Sequence, residues 1–198
     1  MNGKPYSEAC ERNRDPILGI LKDWFILHGT VLEIGTGTGQ HAVYFAEHLP
    51  HLTWVATDRE ENLDGIRMWM DEAQLPNLKG PFKLDVRSEV WPVRDAKYAF
   101  TANTAHIMSW SEVEAMFAGV SVTLEPGGKF CVYGPFNRNG EFTSDSNRQF
   151  DEMLRERNPV MGIRDDRAMI TLGTRCELMF AADYSMPARN RLLVWSKP

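Results

Sequence analysis

Short apolar runs alternate with helical stripes along the chain. Residues 31–34 ("VLEI") and 52–58 ("LTWVATD") are rich in apolar and β-branched side chains, which predicts two buried strands. Between them, apolar residues from Ala42 to Leu49 recur at the spacing of one helix face, and Pro50 then ends the helix. A strand, a helix and a second strand in this order are typical of a parallel sheet.

The same alternation continues towards the end of the chain. Further strands are predicted at 81–86 ("PFKLDV"), 96–103 ("AKYAFTAN") and 130–136 ("FCVYGPF"), with helical stripes between them. Residues 175–198 predict two strands joined by a turn, which form an antiparallel C-terminal edge hairpin. The pattern therefore predicts an α/β fold: a Rossmann-like, doubly wound, mostly parallel sheet with helices on both faces.

Capping signals predict where two helices begin. Asp15 before Pro16 predicts a helix that starts at Pro16. Residues 1–29 would then form an arm and a helix, which either folds over the site as a lid or packs on the sheet edge. Ser111 and Glu114 predict a capping box at the start of a later helix.

Length and composition favour one soluble domain over residues 1–198. The chain is 43% hydrophobic with a net charge of −5, and no apolar run is long enough to cross a membrane. The acidic balance disfavours nucleic-acid binding. Three widely separated cysteines without a CxxC pair disfavour a disulfide framework and a cysteine metal site. We therefore expect a cytoplasmic protein with no metal, membrane or nucleic-acid partner.

Three glycines follow the first predicted strand at alternate positions. Gly35, Gly37 and Gly39 border the crevice at the carboxyl end of the sheet, where ligands bind in doubly wound folds. Glycine there serves either a tight turn or the close approach of a ligand to the backbone. The spacing is G-x-G-x-G, and Gln40 stands where a dinucleotide fingerprint has its third glycine.

Preceded by Glu33, this stretch resembles the first motif of class I S-adenosylmethionine-dependent methyltransferases. Nearly the whole chain resembles the family of these enzymes that contains the methyltransferase-like 26 proteins. The resemblance implies a seven-stranded sheet whose last strand is inserted antiparallel, and S-adenosylmethionine as cofactor, but no particular acceptor. It is carried by "ERNRDPIL" (11–18), "GTGQHAVYFA" (37–46), "NTAHIMSW" (103–110), "YGPF" (133–136), "GIRD" (162–165) and "MPARN" (186–190).

The resemblance also implies a set of cofactor-binding residues. Asp58 would accept hydrogen bonds from the ribose hydroxyls, although a helix cap is an alternative role. Asp85 would accept from the adenine amino group beside the backbone amide of Val86, unless it is simply a surface acid. The methionine part would be held by the acid after the first strand, the glycine loop and the carbonyl at the end of the fourth strand: Glu33, Gly35, Thr36, Gly37, Gly39 and Asn103.

Candidate residues for the acceptor side follow the fourth and fifth strands. His106 is a candidate general base near the expected methyl group, with a structural histidine as the alternative. Asn103 and Tyr133 are candidates for contact with the acceptor, or a cap and a packed aromatic. The remaining acceptor candidates are Arg12, Asn13, Trp110, Arg164 and Asn190, with an N-terminal arm on the sheet and an Arg164–Asp165 surface ion pair as alternatives.

These observations predict transfer of a methyl group to an oxygen, nitrogen or sulfur atom of a small molecule. A protein or peptide acceptor is the first alternative, and a cofactor-binding scaffold without turnover is another. Gln40 and Asp85 disfavour a NAD(P)-dependent oxidoreductase. The stretch "NTAH" at 103–106 lacks the prolines of enzymes that methylate exocyclic amines, so DNA N-methylation is not expected.

Overall fold

The computed structural model describes residues 3–198. The strands are β1 (Gly29–Ile34), β2 (Leu52–Asp58), β3 (Leu78–Lys83), β4 (Ala96–Ala102), β5 (Leu124–Asn137), β6 (Arg164–Asp165), β7 (Met179–Ser185) and β8 (Asn190–Ser196). The α-helices are α1 (Glu8–Trp24), α2 (Gln40–His48), α3 (Leu63–Ala73), α4 (Trp110–Thr123), α5 (Asp145–Arg157) and α6 (Asp166–Arg175).

The strands pair in the order β3-β2-β1-β4-β5-β8-β7, with the short β6 beside β5. Pairing is parallel from β3 to β5, whereas β8 is antiparallel to both β5 and β7. The order reverses at β1, so the loops after β1 and β4 diverge and open a crevice between them. The predicted doubly wound sheet and its antiparallel C-terminal strands are confirmed.

Helices cover both faces because strand residues alternate between the two sides. On one face, Trp54 and Phe100 pack with Ile17 of α1 and Phe45 of α2. The other face buries a second cluster, which includes Val113 and Phe117 of α4, Phe130, Leu172 of α6 and Trp195. Two clusters with one sheet between them form the three-layer architecture that the sequence pattern predicts.

The first helix starts earlier than its predicted start at Pro16. Helix α1 begins at Glu8, where the side chain of Ser7 accepts a hydrogen bond from the backbone N–H of Cys10, and Pro16 lies inside the helix. The hydroxyl of Tyr44 instead donates to Asp15. The prediction was wrong because the apolar stripe of α1 anchors the helix in the core on the C-terminal side of the proline, and this packing offsets the lost backbone hydrogen bond.

Two further helix starts differ from the sequence pattern. The capping box of α4 uses Ser109 and Glu112, two residues earlier than the predicted Ser111 and Glu114. The sequence pattern also gave no sign of α6, which is capped by Asp165 accepting from two backbone N–H groups of the first turn. In both places several polar residues in succession are possible caps, so the pattern does not distinguish them.

Over residues 3–198, the helices are too short or too polar to cross a lipid bilayer.

A buried ion pair fastens the C-terminal strands to α6. Arg191 of β8 donates to Asp166 at 2.9 Å, and its Nε donates to Asp183 of β7 at 2.9 Å. The side chains of Arg191 and Asp166 are only 10% and 9% exposed, so loss of the arginine leaves a buried, unpaired carboxylate.

We expect Arg191→Ala to lower the free energy of unfolding by about 3–5 kcal/mol, because a buried charge then lacks its partner. Urea unfolding followed by circular dichroism measures the change. Arg67→Ala is the matched control: it breaks the exposed pair with Asp64, and its expected cost is below about 1 kcal/mol. Equal costs for the two variants would contradict the assignment.

Candidate functional site

A cavity of about 1050 Å³ lies at the carboxyl ends of the parallel strands. Its walls come from the loops after β1, β2 and β4, from the segment after β3, from Tyr133 of β5, and from α1. Helix α5 and the β7–β8 loop complete the wall. This is the place where a doubly wound sheet binds its ligands.

The three positions of the loop after β1 at which glycine occurs do not all require it for the same physical reason. A Cβ at Gly35 would lie 2.8 Å from the side chain of Thr104, and a Cβ at Gly39 would lie 3.0 Å from that of Trp69. These two positions are therefore glycine because the loop packs tightly against its neighbours. At Gly37, where φ is +69°, a Cβ would meet no atom within 4 Å. Gly37 lines the cavity, so its bare backbone is open to a ligand.

Glu33 is buried beneath this loop and does not line the cavity. Its Oε2 accepts hydrogen bonds from Trp54 Nε1 at 2.9 Å and from Thr36 Oγ1 at 3.1 Å. Burial raises the pKa of Glu33 to about 7, against the hydrogen bonds from Trp54 and Thr36. The carboxyl therefore joins β1, β2 and the loop, and Thr36 stands between it and the cavity.

Asp58, at the end of β2, lines the cavity and is held by three protein donors. Its Oδ2 accepts from the backbone N–H of Gly37 at 2.6 Å, and its Oδ1 accepts from the N–H of Arg59 and from Asn62 Nδ2 at 2.7 and 2.8 Å. A carboxylate has about four acceptor positions, so Oδ2 keeps one for a hydroxyl group of a ligand. A second hydroxyl requires one of the present donors to move.

Asp85 and Val86 line the same side of the cavity. Arg87 holds Asp85 with its Nε at 3.0 Å and one terminal nitrogen at 2.8 Å, and its backbone N–H donates as well. These hydrogen bonds lower the pKa of Asp85 to about 2. The carboxylate is therefore fixed and ionised at neutral pH, again with one acceptor position left on Oδ2.

Asn103, directly after β4, adopts a left-handed backbone conformation with φ of +57°. Its N–H donates to the carbonyl of Tyr133 at 2.9 Å, which ties the ends of β4 and β5 together. A Cβ on Gly134 would lie 3.9 Å from Asn103 Oδ1 and 3.8 Å from His106 Nδ1. The structure thus brings the three predicted residues Asn103, His106 and Tyr133 to one part of the cavity.

His106 is buried, yet its ring lines the cavity. The ring packs edge-on against Phe150 with centroids 5.2 Å apart. Burial, and to a smaller extent the charge of Arg164, lowers the pKa of His106 to about 4. The imidazole is therefore neutral at physiological pH and has a lone pair available, which is the form that accepts a proton or a hydrogen bond.

A polar cluster beside the cavity contains a histidine that the sequence did not single out. His41 Nε2 lies 2.7 Å from Asn13 Oδ1, and Tyr133 and Asn190 line the cavity together with these two residues. Burial lowers the pKa of His41 to about 4. The sequence gave no signal for this role, because His41 becomes a cavity residue only when α1 packs over α2.

Three of the five predicted acceptor residues line the cavity, namely Arg12, Asn13 and Asn190, whereas Trp110 and Arg164 do not. Arg164 instead donates to the backbone carbonyls of Ala105 and Val160 at 3.0 and 3.1 Å. It therefore braces the loop that carries His106 and does not form a surface pair with Asp165.

Gln40 fastens α1 over the cavity. Its Oε1 accepts from the backbone N–H of Ser7 at 2.6 Å, and its Nε2 donates to Glu11 Oε1 at 2.7 Å. Gln40, at the position of the third glycine in a dinucleotide fingerprint, thus has a structural role. Its side chain fills the space in front of the first turn of α2 and joins that turn to α1.

A family model described as a protein of unknown function (DUF938) matches residues 4–197.

Solved structures share the fold at low sequence identity. An O-methyltransferase family protein from Burkholderia thailandensis superimposes with a TM-score of 0.83 at 15% identity, over 96% of this chain and 57% of that one. The S-adenosylmethionine-dependent methyltransferase SibL in its apo form has a TM-score of 0.81 at 19% identity, over 96% and 56%. An O-methyltransferase family 2 protein from Planctomyces limnophilus, in complex with apigenin, has a TM-score of 0.76 at 14% identity, over 86% and 51%. This chain spans little more than half of each, and its fold is the Rossmann-like methyltransferase fold.

The buried Glu33 makes stability fall as the pH rises. Because its pKa is about 7 in the folded protein and about 4.5 in the unfolded chain, ionisation favours unfolding between these two values. The stabilising contribution of the protonated form is complete below pH 4.5 and is lost as the pH rises through 7.

We expect the wild type to lose roughly 2–3 kcal/mol of unfolding free energy relative to Glu33→Gln as the pH rises from 5 to 8, because only the wild type has to ionise a buried carboxyl group. Urea unfolding at pH 5, 6, 7 and 8 measures it. Glu47→Gln, on the exposed side of α2, is the control and should show no such trend. A difference that stays constant with pH would contradict the raised pKa.

Proposed function

Because the chain belongs to the family described as a protein of unknown function (DUF938), its activity has to be inferred from its site, and we propose that it is an S-adenosylmethionine-dependent methyltransferase. The acceptor in this proposal is an oxygen, nitrogen or sulfur atom of a small molecule. The observation that carries the proposal is the cavity edge formed by Gly37, Asp58 and Asp85, on a fold shared with methyltransferases. The resemblance to the family that contains the methyltransferase-like 26 proteins agrees with it.

The residues of this edge fit a nucleoside. The free acceptor position of Asp58 suits a ribose hydroxyl, and that of Asp85 suits the adenine amino group, with the backbone N–H of Val86 for a ring nitrogen. The open space at Gly37 lets the ligand lie against the main chain. No phosphate-binding cation is needed on this edge, which agrees with a cofactor that carries no phosphate.

The methionine part would lie between the glycine loop and Asn103. Its ammonium needs acceptors, which the carbonyl of Asn103 supplies, while Glu33 acts from beneath through Thr36. Asn103 has a left-handed backbone, which asparagine tolerates better than most residues, and it lines the cavity directly after β4.

The bound cofactor supplies a methyl group on a positively charged sulfur. The chain then has to align the acceptor behind that carbon and exclude water. Alignment alone accounts for up to about 7–11 kcal/mol of a barrier, and α1 covers the cavity in the way that exclusion of water requires. A base contributes about 100- to 10,000-fold, so His106 matters where the acceptor atom arrives protonated.

His106 and Tyr133 are the groups placed to hold that proton or the acceptor atom. The neutral imidazole accepts the proton of a hydroxyl or thiol as the new bond to carbon forms, or that of an ammonium before its nitrogen attacks. A cavity of about 1050 Å³ has room for a nucleoside cofactor and a small molecule together, which agrees with a small-molecule acceptor.

Asp58→Asn tests the cofactor assignment. Thermal unfolding of the wild type is recorded with S-adenosylhomocysteine, S-adenosylmethionine, NAD and NADP in parallel. At a hundredfold excess over its dissociation constant a ligand adds about 2.7 kcal/mol, which raises the midpoint of a chain of this size by about 5–10 °C. We expect this shift with the two sulfur nucleosides alone, and we expect Asp58→Asn to reduce it.

Asp64→Asn is the control, because Asp64 is exposed on α3 outside the cavity. A shift with NAD or NADP alone would contradict the proposed cofactor. A full shift in Asp58→Asn would contradict the ribose contact, and no shift with any nucleotide would favour a protein without this cofactor.

His106→Ala tests the chemistry separately from cofactor binding. We expect kcat for a hydroxyl acceptor to fall about 100-fold or more, the usual contribution of a base, with the affinity for S-adenosylhomocysteine unchanged within a few-fold. With a pKa of about 4, His106 stays neutral above pH 5, so its ionisation should cause no loss of rate between pH 8 and pH 5.5. Unchanged turnover would remove His106 from the mechanism.

A further inference from the structure

The charged residues of the cavity are divided between two walls. The acidic wall consists of Asp58, Glu61, Asp85 and Glu112, with Arg59 as the one lining cation beside them in the described part of the chain. These residues end or follow β2, follow β3, or lie in the first turn of α4. The arginine wall consists of Arg12 from α1 and Arg157 from α5. It also includes Phe150 of α5 and Met161, which follows that helix. Within residues 3–198, the cavity-lining side chains of α1, α5 and the β7–β8 loop include no carboxylate.

The acidic wall is partly compensated by nearby donors. Arg87 pairs with Asp85 at 2.8 Å and approaches Glu112 at 3.9 Å, and Arg59 pairs with Glu61 at 3.0 Å. These pairs are exposed and weak, but the four carboxylates of this wall outnumber Arg59, the arginine that lines it. The excess negative charge disfavours an anionic ligand on this side.

The two arginines of the arginine wall have weak or no salt-bridge partners within the described chain. Arg12 has only an exposed pair with Glu8 at 3.2 Å, and such pairs are worth less than about 1 kcal/mol. Arg157 has no salt-bridge partner among the described residues, whereas Arg155, two positions before it at the same helix end, is paired with Asp151 at 2.6 Å. Both guanidinium groups remain available to an anion that enters the cavity.

Apolar surface accompanies these cations. Phe150 and Met161 line the cavity together with Met108 and Ile107, which is 46% exposed. A guanidinium group recognises carboxylate or phosphate through paired N–H donors, and the adjacent apolar side chains bury a hydrophobic body. The wall is thus complementary to an amphiphilic anion.

We propose that the acceptor is a small molecule with an apolar body and an anionic group, carboxylate or phosphate, that binds to the guanidinium groups of Arg157 and Arg12 in the cavity lining. This inference rests on the proposed function for the meaning of "acceptor". The binding preference itself is a property of the cavity that can be measured without turnover.

Two fluorescent probes differ only in the anionic group. 8-Anilinonaphthalene-1-sulfonate carries a sulfonate that its neutral analogue N-phenyl-1-naphthylamine lacks. Each is titrated against the full chain with and without S-adenosylhomocysteine. We expect Arg157→Gln to weaken the sulfonate probe about tenfold, as for loss of a charge-assisted hydrogen bond, and to change the neutral probe less than twofold. Arg12→Gln should act in the same direction.

Arg175→Gln is the matched control. Like Arg157, Arg175 lies in the last turn of a helix, where a positive charge interacts favourably with the helix dipole. Arg175 differs in that it pairs with Glu114 and does not line the cavity. It should leave both probes unchanged. If Arg157→Gln weakens both probes equally, or neither, the anion site is wrong.

Competition against the bound sulfonate probe distinguishes the kinds of anion. 2-Naphthoate, 2-naphthyl phosphate and the neutral 2-naphthamide are compared, and one of the two anions should displace the probe at least tenfold better than the amide. Equal displacement by the amide would overturn the inference. Calorimetry with S-adenosylhomocysteine runs in parallel: absence of binding there contradicts the proposed function alone, because the probe preference is also measured without that ligand.

Discussion

A buried carboxyl group at the end of β1 holds the floor of the site together. Glu33 accepts from Trp54 of β2 and from Thr36 of the glycine loop, so two neighbouring segments share one acceptor. Because the loop is fixed in this way, the N–H of Gly37 points at Asp58 and donates to it. The cost is the burial of an ionisable group, which raises its pKa to about 7. The cavity edge formed by Gly37 and Asp58 therefore depends on a group that does not line the cavity.

The cavity separates two kinds of recognition. One edge offers fixed carboxylates with spare acceptor positions, which suit the hydroxyl and amino groups of a nucleoside. The lining from α1 and α5 offers guanidinium groups and apolar side chains, which suit an anion with a hydrophobic body. The uncharged groups His106, Asn13 and Tyr133 also line the cavity. Asn13 follows Arg12 on α1, and the ring of His106 packs against Phe150, so two of these groups adjoin the arginine wall.

The fold itself follows from local signals. Apolar residues repeat every 2 positions in the strands and about every 3.6 positions in the helices, and these periods indicate which side of each element is buried. Burial of apolar surface is the largest favourable term in folding. Helix starts follow less closely, because Asp15 and Ser7, or Ser111 and Ser109, are equally good caps in isolation. The packing of α1 and α4 selects between them.

The sequence by itself determined the order of strands and helices, the glycine loop and the positions of Asp58 and Asp85, because these follow from spacing along the chain. Only the tertiary structure decided that Glu33 lies under the loop, that Gln40 and His41 meet α1, and that Arg164 braces a loop while Arg157 lines the cavity. These roles depend on contacts between residues far apart in sequence. Local spacing does not encode such contacts, since they arise when helices pack across the carboxyl edge of the sheet.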